Sequence, residues 1–303
     1  MLSKLDFLII GAQKSGTTTL FKLLSEHPKI FMPSGKEAPF FTKDIEYSKG
    51  LSSYTDTFFL DASSNQLWGT ATPHYLSDPK VPNRISNTVP EVKLVAILRN
   101  PAERALSHYR MSVRRGFEQR SFEHAISEML GHDSLDIARR LPTGYINEDK
   151  TYVVWGEYGR LINNYLKFFA KNKILILFTD ELEKSPKITI KKILTFLELP
   201  EHEFHSLGKR FNEGGIKERL PFINKFKQFK LIRRIWRSLS PNLRSKVMYA
   251  VNQLNTIKSS DSLTNYDQTV VNQLKNHYLP DIKKLEKTMD CSTPWTNKVK
   301  NET

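Results

Sequence analysis

The sequence predicts an α/β fold in which helices flank a central parallel sheet. Three short apolar runs are separated by segments with helical periodicity, and this alternation is typical of parallel sheets. Of the 303 residues, 39% are hydrophobic and 11% aromatic, which is enough for a sizeable core. No internal repeat or low-complexity segment divides the chain, so we expect one domain over 1–303.

The predicted strands lie at 5–10, 93–98 and 174–178. Each is apolar almost throughout, as expected of a parallel strand that is covered on both faces. The first strand ends at Gly11, and a helix is predicted to follow over 17–26, where His27 and Pro28 end it.

The later helices are predicted from their start signals and periodicity. Asn100 is placed to cap a helix that has Pro101 at its first position and Glu103 positioned for a capping box. The remaining helical segments are predicted at 160–170, 186–199 and 265–290. The last of them is expected to break or bend at Pro280, which lacks the donor for a helical hydrogen bond.

The chain is strongly basic. Lys and Arg outnumber Asp and Glu by 46 to 32, which gives a net charge of +14. This charge predicts an anionic partner: a phosphate or sulfate ligand, an acidic glycan, nucleic acid or an anionic membrane. Ten basic residues fall within 217–246, inside a basic helical insertion predicted at about 216–262. We interpret that stretch as a solvated insertion or as a contact surface for a membrane or an acidic glycan. It carries no nucleic-acid motif, so we expect no nucleic-acid partner.

Signals for a cellular compartment are few. No apolar run approaches the ~20 residues that a membrane-spanning helix needs. Asp6 interrupts the N-terminal apolar stretch, which therefore lacks the pattern of a signal peptide. Cys291 is the one cysteine, so the chain can form no internal disulfide. We expect a cytoplasmic protein, with peripheral membrane contact as a further option.

The loop after the first predicted strand carries the strongest functional signal. It reads Gly11-Ala-Gln-Lys-Ser-Gly-Thr-Thr18, and we call residues 11–18 the phosphate loop. Small residues let its backbone wrap an anion, and the amides at the following helix start favour negative charge. Lys14 adds a mobile positive charge, while Thr17 and Thr18 add hydroxyl donors.

The phosphate loop differs from the GxxxxGK[ST] loop of nucleoside triphosphatases. That pattern requires a lysine directly after its second glycine, whereas here Thr17 follows Gly16 and the lysine stands earlier, at Lys14. Lys14 is therefore expected to approach its ligand from the crest of the loop. A nucleotide kinase or NTPase stays open as an alternative, as does a non-catalytic basic protein that binds membranes or nucleic acid.

Several segments together resemble the sulfotransferases that use 3′-phosphoadenosine-5′-phosphosulfate (PAPS), especially the heparan sulfate and bacterial branches. QKSGTT at 13–18 resembles their 5′-phosphosulfate loop, and LRNPAERALSHY at 98–109 resembles their 3′-phosphate segment. KEAPFF at 36–41 and TPHY at 72–75 are weaker matches in the same order. The resemblance implies a P-loop-like domain that moves a sulfuryl group in line from PAPS to an acceptor hydroxyl or amine. The acceptor is expected to be a carbohydrate or glycolipid, the product 3′,5′-adenosine bisphosphate (PAP), and no metal is expected.

The resemblance also implies a role for each residue of the donor site. Lys14 is expected to stabilise the leaving phosphate. The residues expected to hold the 5′-phosphate with it are Ser15, Gly16, Thr17 and Thr18. Arg99 and Ser107 are expected to bind the 3′-phosphate, and Arg104 is expected on the surface of the same helix.

Two residues are candidates for the general base. Glu37 is the first, because the heparan branch has a catalytic glutamate at this position and apolar neighbours are expected to desolvate it partly. His74 is the competing candidate, because other sulfotransferase branches use a histidine.

Overall fold

The computed structural model describes residues 4–209, 216–218, 256–258 and 262–296. Its centre is a five-stranded parallel sheet with the strand order β2-β3-β1-β4-β5. The strands are β1 (Phe7–Gly11), β2 (Ile30–Phe31), β3 (Leu67–Ala71), β4 (Lys93–Leu98) and β5 (Ile174–Phe178). The predicted fold class is therefore confirmed, and the predicted bounds of β4 and β5 agree with the structure.

Helices cover both faces of the sheet. They are α1 (Thr17–Leu24), α2 (Asp44–Ser48), α3 (Gly50–Phe58), α4 (Val81–Thr88), α5 (Pro101–Arg115), α6 (Phe122–Met129), α7 (His132–Ala138), α8 (Tyr158–Tyr165), α9 (Thr179–Lys184), α10 (Pro186–Phe196) and α11 (Gln268–Met289). Short 3-10 turns lie at Tyr145–Lys150, Val154–Gly156, Lys171–Lys173 and Leu263–Asn265. The helices predicted at 17–26, 160–170, 186–199 and 265–290, and the helix that Asn100 caps, are therefore present, with ends that shift by a few residues.

Strand β1 shows how the two faces are filled. Phe7 and Ile9 point into an apolar cluster with α1 and α10. Leu8 and Ile10 point into a second cluster, which includes buried residues of α5, α8 and α11. Alternate side chains of one strand therefore enter opposite cores, as the period of two requires, and the strand is apolar on both faces.

Helix α11 corrects one expectation. It contains Pro280 but runs as one helix from Gln268 to Met289, so it is not broken there. The next residue, Asp281, accepts hydrogen bonds from the backbone amides of Gly159 at 2.7 Å and Arg160 at 2.8 Å, at the start of α8. This clamp and the apolar face that α11 packs on α8 outweigh the helical hydrogen bond that Pro280 cannot make.

A second correction concerns Arg104, which is fully buried rather than on the helix surface. Arg104 and His108 lie one turn apart on the inward face of α5, with Arg104 Nη1 3.4 Å from His108 Nδ1. The Arg104 guanidinium also donates to the carbonyl of Tyr152. The Tyr152 carbonyl thus supplies the hydrogen-bond partner that a buried guanidinium requires.

The basic insertion is described only at its ends. These ends are not helical, contrary to the prediction: strands β6 (Ile216–Glu218) and β7 (Thr256–Lys258) pair there in antiparallel fashion. Residues 219–255, where the insertion was predicted to be helical, lie outside the described residues, as does most of the basic stretch 217–246. Among the helices of the described ranges, none is long and apolar enough to cross a membrane.

Candidate active site

The sheet brings the phosphate loop and Arg99 to the same edge. Strands β1 and β4 are parallel neighbours, with Gly11 in register with Ala96. The loop follows β1 and Arg99 follows β4, so both leave the carboxyl end of the sheet side by side. Ligands of open α/β sheets bind at such an edge.

Backbone geometry explains the two glycines of the phosphate loop. At Gly11 an added Cβ atom would lie 2.8 Å from the carbonyl oxygen of Pro73, so a side chain would push the 72–75 segment away. Gly16 has φ of 94° directly before α1, a left-handed conformation that favours glycine. No acidic residue occupies the first turn of α1, so its amides face no competing carboxylate from that turn.

Lys14 stands at the crest of the loop in a left-handed conformation, with φ of 69°. Burial, together with the positive charges of Arg114, Arg115 and Arg99, lowers its pKa from 10.5 to about 8. The Glu148 carboxylate opposes this shift. The ammonium group therefore lies in a partly desolvated cationic cluster, which an anionic ligand would stabilise.

The other loop residues differ in exposure. Ser15 and Thr17 are buried, at 0% and 4% exposure. Gly16 and Thr18 are partly exposed. The loop can therefore offer an anion its backbone and the Lys14 and Thr18 side chains, while Ser15 and Thr17 pack inward.

Arg99 is engaged by a carboxylate one turn into α5. Its guanidinium Nη2 lies 2.9 Å from Oε2 of Glu103, and Ser107 follows half-buried one turn further along. Asn100 caps α5 as predicted, because its side chain accepts from the amides of Ala102 and Glu103. The Glu103 carboxylate, which was predicted to complete a capping box, turns to Arg99.

The first candidate base, Glu37, is exposed. Its side chain is 44% exposed and lies 3.5 Å from the Lys36 ammonium, so the predicted desolvation by apolar neighbours is wrong. The segment around it is nevertheless held in place, since the Tyr75 hydroxyl accepts from the amide of Phe40 at 2.9 Å. Tyr54 also donates to the carbonyl of Ala38 at 2.9 Å.

The second candidate base, His74, is largely buried. Its ring packs edge to face against Trp155 with 5.6 Å between centroids, and its Nε2 atom lies 3.1 Å from the Gln13 amide nitrogen. Burial lowers the pKa of His74, while the negative charges of Glu37 and Glu148 counteract that effect. The structure therefore brings both candidate bases to one region of the site.

Glu148 joins this site, although it was not among the residues predicted for it. Its carboxylate is completely buried and accepts from Arg115 Nη1 at 3.0 and 3.2 Å. It also accepts from the Gln13 amide nitrogen at 3.4 Å. Glu148 lies 135 residues from Gln13 in the chain, and no local motif surrounds it, so only the fold could reveal it. The paired Arg114 and Arg115 at the end of α5 were the one available hint.

Comparison with known proteins identifies the family. Residues 4–226 match the sulfotransferase domain family. The chain belongs to this family. The match confirms the predicted family and its enzyme class, and it favours sulfuryl transfer over the kinase and the non-catalytic binding protein that the charge and the loop had left open.

Two curated relatives illustrate the match. Over 213 residues the chain is 29% identical to "Bifunctional heparan sulfate N-deacetylase/N-sulfotransferase 3" from Homo sapiens, covering 68% of this chain and 24% of that protein. Over 131 residues it is 36% identical to "Membrane-associated sulfotransferase kil1" from Dictyostelium discoideum, covering 41% of this chain and 27% of that protein. The chain thus spans about a quarter of the length of these relatives.

A solved structure shares the fold over nearly the whole chain. The sulfotransferase from Alicyclobacillus acidocaldarius superposes with a TM-score of 0.64 and 20% sequence identity, covering 96% of this chain and 98% of that one. At this identity the similarity establishes the fold alone.

Proposed function

We propose that this sulfotransferase moves a sulfuryl group from PAPS to a hydroxyl or amine of a carbohydrate or glycolipid acceptor. The observation that carries the proposal is Lys14, an ammonium group at the crest of the phosphate loop among Arg99, Arg114 and Arg115. Mutual repulsion among these cations is relieved by a ligand with several negative charges, and PAPS is such a ligand.

The donor site is assigned residue by residue. Lys14, Ser15, Gly16, Thr17 and Thr18 hold the 5′-phosphate, through backbone amides and the outward side chains. Arg99 and Ser107, on one side of α5 with Glu103 between them, hold the 3′-phosphate. When bound, PAPS supplies the sulfuryl group and a phosphate leaving group.

Lys14 stabilises the negative charge that develops on the leaving phosphate. Its position on the loop, ahead of the helix, places its ammonium group in the partly desolvated cluster with Arg99, Arg114 and Arg115. A positively charged donor in a partly desolvated site has a larger effect than in water, because the local dielectric is lower. The proposed reaction uses no metal, and this part stays a prediction.

Glu37 removes the proton from the acceptor in this proposal. Its exposed carboxylate can reach a ligand in the cleft, whereas the Nε2 atom of His74 already contacts Gln13. His74 stays the competing base, because its neutral form is favoured by burial.

The acceptor class rests on one relative. The human relative is named a heparan sulfate N-sulfotransferase, which supports a carbohydrate acceptor and an amine or hydroxyl as the target. A contact with an acidic glycan or a membrane through 217–246 stays a prediction, as does cytoplasmic location.

Transfer of labelled sulfate from PAPS tests the proposal. Glucosamine-containing oligosaccharides with free amines, and the same oligosaccharides N-acetylated, serve as acceptors for the wild type and Lys14→Met. We expect labelled glycan and equimolar PAP from the wild type, and loss of both in the variant. Magnesium-dependent phosphate transfer from ATP, with no reaction from PAPS, would overturn the proposal.

A further inference from the structure

Gln13, Glu148 and His74 form a set of polar contacts that links the phosphate loop to the segment 72–75. The Gln13 amide nitrogen lies 3.4 Å from Glu148 Oε1 and 3.1 Å from His74 Nε2. Glu148 is completely buried and is anchored by Arg115, whose Nη1 atom contacts both carboxylate oxygens. His74 is 21% exposed, so the chain of contacts lies mostly inside the protein.

The partners of Gln13 fix which way its amide points. A carboxylate paired with a guanidinium has only acceptor atoms to offer, so the atom of Gln13 that faces Glu148 is the NH₂ group. The reversed amide would place its oxygen against the carboxylate oxygen. The Oε1 atom of Gln13 is buried on the other side, where it has no hydrogen-bond partner within the described part of the chain.

This orientation dictates the protonation of His74. Because the Gln13 nitrogen carries only hydrogens to share, His74 Nε2 must accept from it and cannot itself bear a proton. A neutral imidazole then carries its proton on Nδ1. Burial against Trp155 favours the neutral ring over the charged one.

We propose that Glu148 is a positioning residue which, through the amide of Gln13, holds His74 as the tautomer protonated on Nδ1. The Nε2 lone pair is then occupied, and His74 can donate a hydrogen bond from Nδ1. Proton removal from the acceptor falls to Glu37. This division of roles rests on the proposed function, whereas the tautomer of His74 does not.

The charges around His74 come from several elements. Glu37 and Lys36 face it from the 36–41 segment, Arg115 from the end of α5, and Glu148 from the 3-10 turn at Tyr145–Lys150. Glu148 and Glu37 favour the protonated ring, and Arg115 and Lys36 oppose it. Neutralising Glu148 therefore lowers the pKa of His74 further.

The test is a long-range ¹H–¹⁵N NMR spectrum of the histidine rings, recorded from low to neutral pH on the full chain without ligand. The His74 signals are assigned by their loss in His74→Asn. In the wild type we expect the proton on Nδ1 alone. In Glu148→Gln we expect a mixture of tautomers, because a neutral amide can turn either end to Gln13. We also expect a lower pKa of His74, because the negative charge that favours the protonated ring is lost.

Two further variants make the result specific. Gln13→Met removes the amide but keeps the pair of Glu148 with Arg115. The inference requires a mixture of His74 tautomers in this variant too, which keeps the test decisive even if Glu148→Gln does not fold. Glu157→Gln is the matched control, because Glu157 is another buried glutamate that pairs with two arginines and contacts a histidine, His277. It should leave the His74 signals unchanged.

Two results overturn the inference: a proton on Nε2 in the wild type, or a tautomer and pKa of His74 that are unchanged in both Glu148→Gln and Gln13→Met. These spectra need no substrate. If they agree with expectation while the wild type neither binds PAP nor transfers sulfate from PAPS, the proposed function fails and the role of Glu148 stands.

Discussion

The hydroxyl of Thr179 ties the phosphate loop to the sheet, since it lies 2.7 Å from the carbonyl oxygen of Ser15 and 3.2 Å from that of Leu98. Thr179 is the first residue of α9, directly after β5, so it reaches across the end of β4 to the loop. The position of the loop crest, and of Lys14 on it, therefore depends on a residue that is distant in the sequence.

Replacing Thr179 with Val should loosen this tie. The change keeps the shape of the side chain and removes its donor, so we expect a loss of about 1 kcal/mol in the free energy of unfolding. PAP affinity should fall as well, because the loop is less well held. Urea denaturation and calorimetry measure the two effects. Thr179→Ser keeps the hydroxyl and serves as the control; equal PAP affinity in the Val and Ser variants would contradict the assigned role.

Lys14→Met should abolish most sulfuryl transfer. The side chain keeps its apolar stem but loses the charge that stabilises the leaving phosphate, so we expect kcat to fall by about 10²- to 10³-fold. Rapid-quench measurement of PAP formation at saturating PAPS separates this effect from weaker binding. A variant that keeps wild-type kcat would show that another cation stabilises the leaving group.

The same variant should change how stability depends on pH. The pKa of Lys14 is about 8 in the folded protein, against 10.5 ordinarily, so between these values the unfolded chain holds more protons. Stability from this group therefore rises with pH from about 8 to 10.5 and is lowest below pH 8. We expect Lys14→Met to be more stable than the wild type at pH 7.5, by a margin that shrinks towards pH 10. Urea midpoints at the two pH values measure it, and a constant margin would contradict the prediction.

Glu37→Gln should separate the two candidate bases. If Glu37 removes the proton, its loss should lower kcat by about 10²- to 10⁴-fold without weakening PAP binding, because the proposal assigns Glu37 to the acceptor and not to the donor. His74→Asn should have the smaller effect on kcat. The reverse order would make His74 the base. Steady-state kinetics with one acceptor, together with calorimetry for PAP, distinguish these results.

Local sequence predicted the parts of the fold that depend on local chemistry. Strand β4 is an apolar run that is buried from Leu94 to Leu98, and β5 is an apolar run in which Leu175 and Ile176 are half-buried. The bounds of both strands were predicted correctly. Strand β3 was not predicted, because Gly69 and Thr70 interrupt its apolar pattern. Gly69 is needed there, since an added Cβ would lie 2.1 Å from the Phe7 ring on the neighbouring strand. That requirement is visible only when the strands are paired.

Some features of the candidate site could likewise be predicted from local sequence, and others depend on the fold. The phosphate loop could be predicted, because its small residues, lysine and threonines are adjacent in the chain. The partners of His74 could not, since Gln13 and Glu148 come from distant segments that only the fold brings together. The exposure of Glu37 also depends on tertiary packing: the apolar residues beside it turn inward and leave its carboxylate outside.

The central claim is that the protein uses PAPS, and it is tested most directly by whether the protein prefers a nucleotide that carries a 3′-phosphate. Thermal and urea stability are measured with PAP and with ADP, which lacks a 3′-phosphate, on the wild type, Arg99→Ala and Arg139→Ala. Arg139 is the matched control, because its side chain is 34% exposed against 35% for Arg99 and it pairs with Glu157 and Asp136.

PAP at about 100 times its dissociation constant should stabilise the wild type and Arg139→Ala by roughly 2.7 kcal/mol, and ADP at the same concentration by much less. Arg99→Ala should lose this preference. Equal stabilisation of the wild type by PAP and ADP would contradict a PAPS-dependent sulfotransferase.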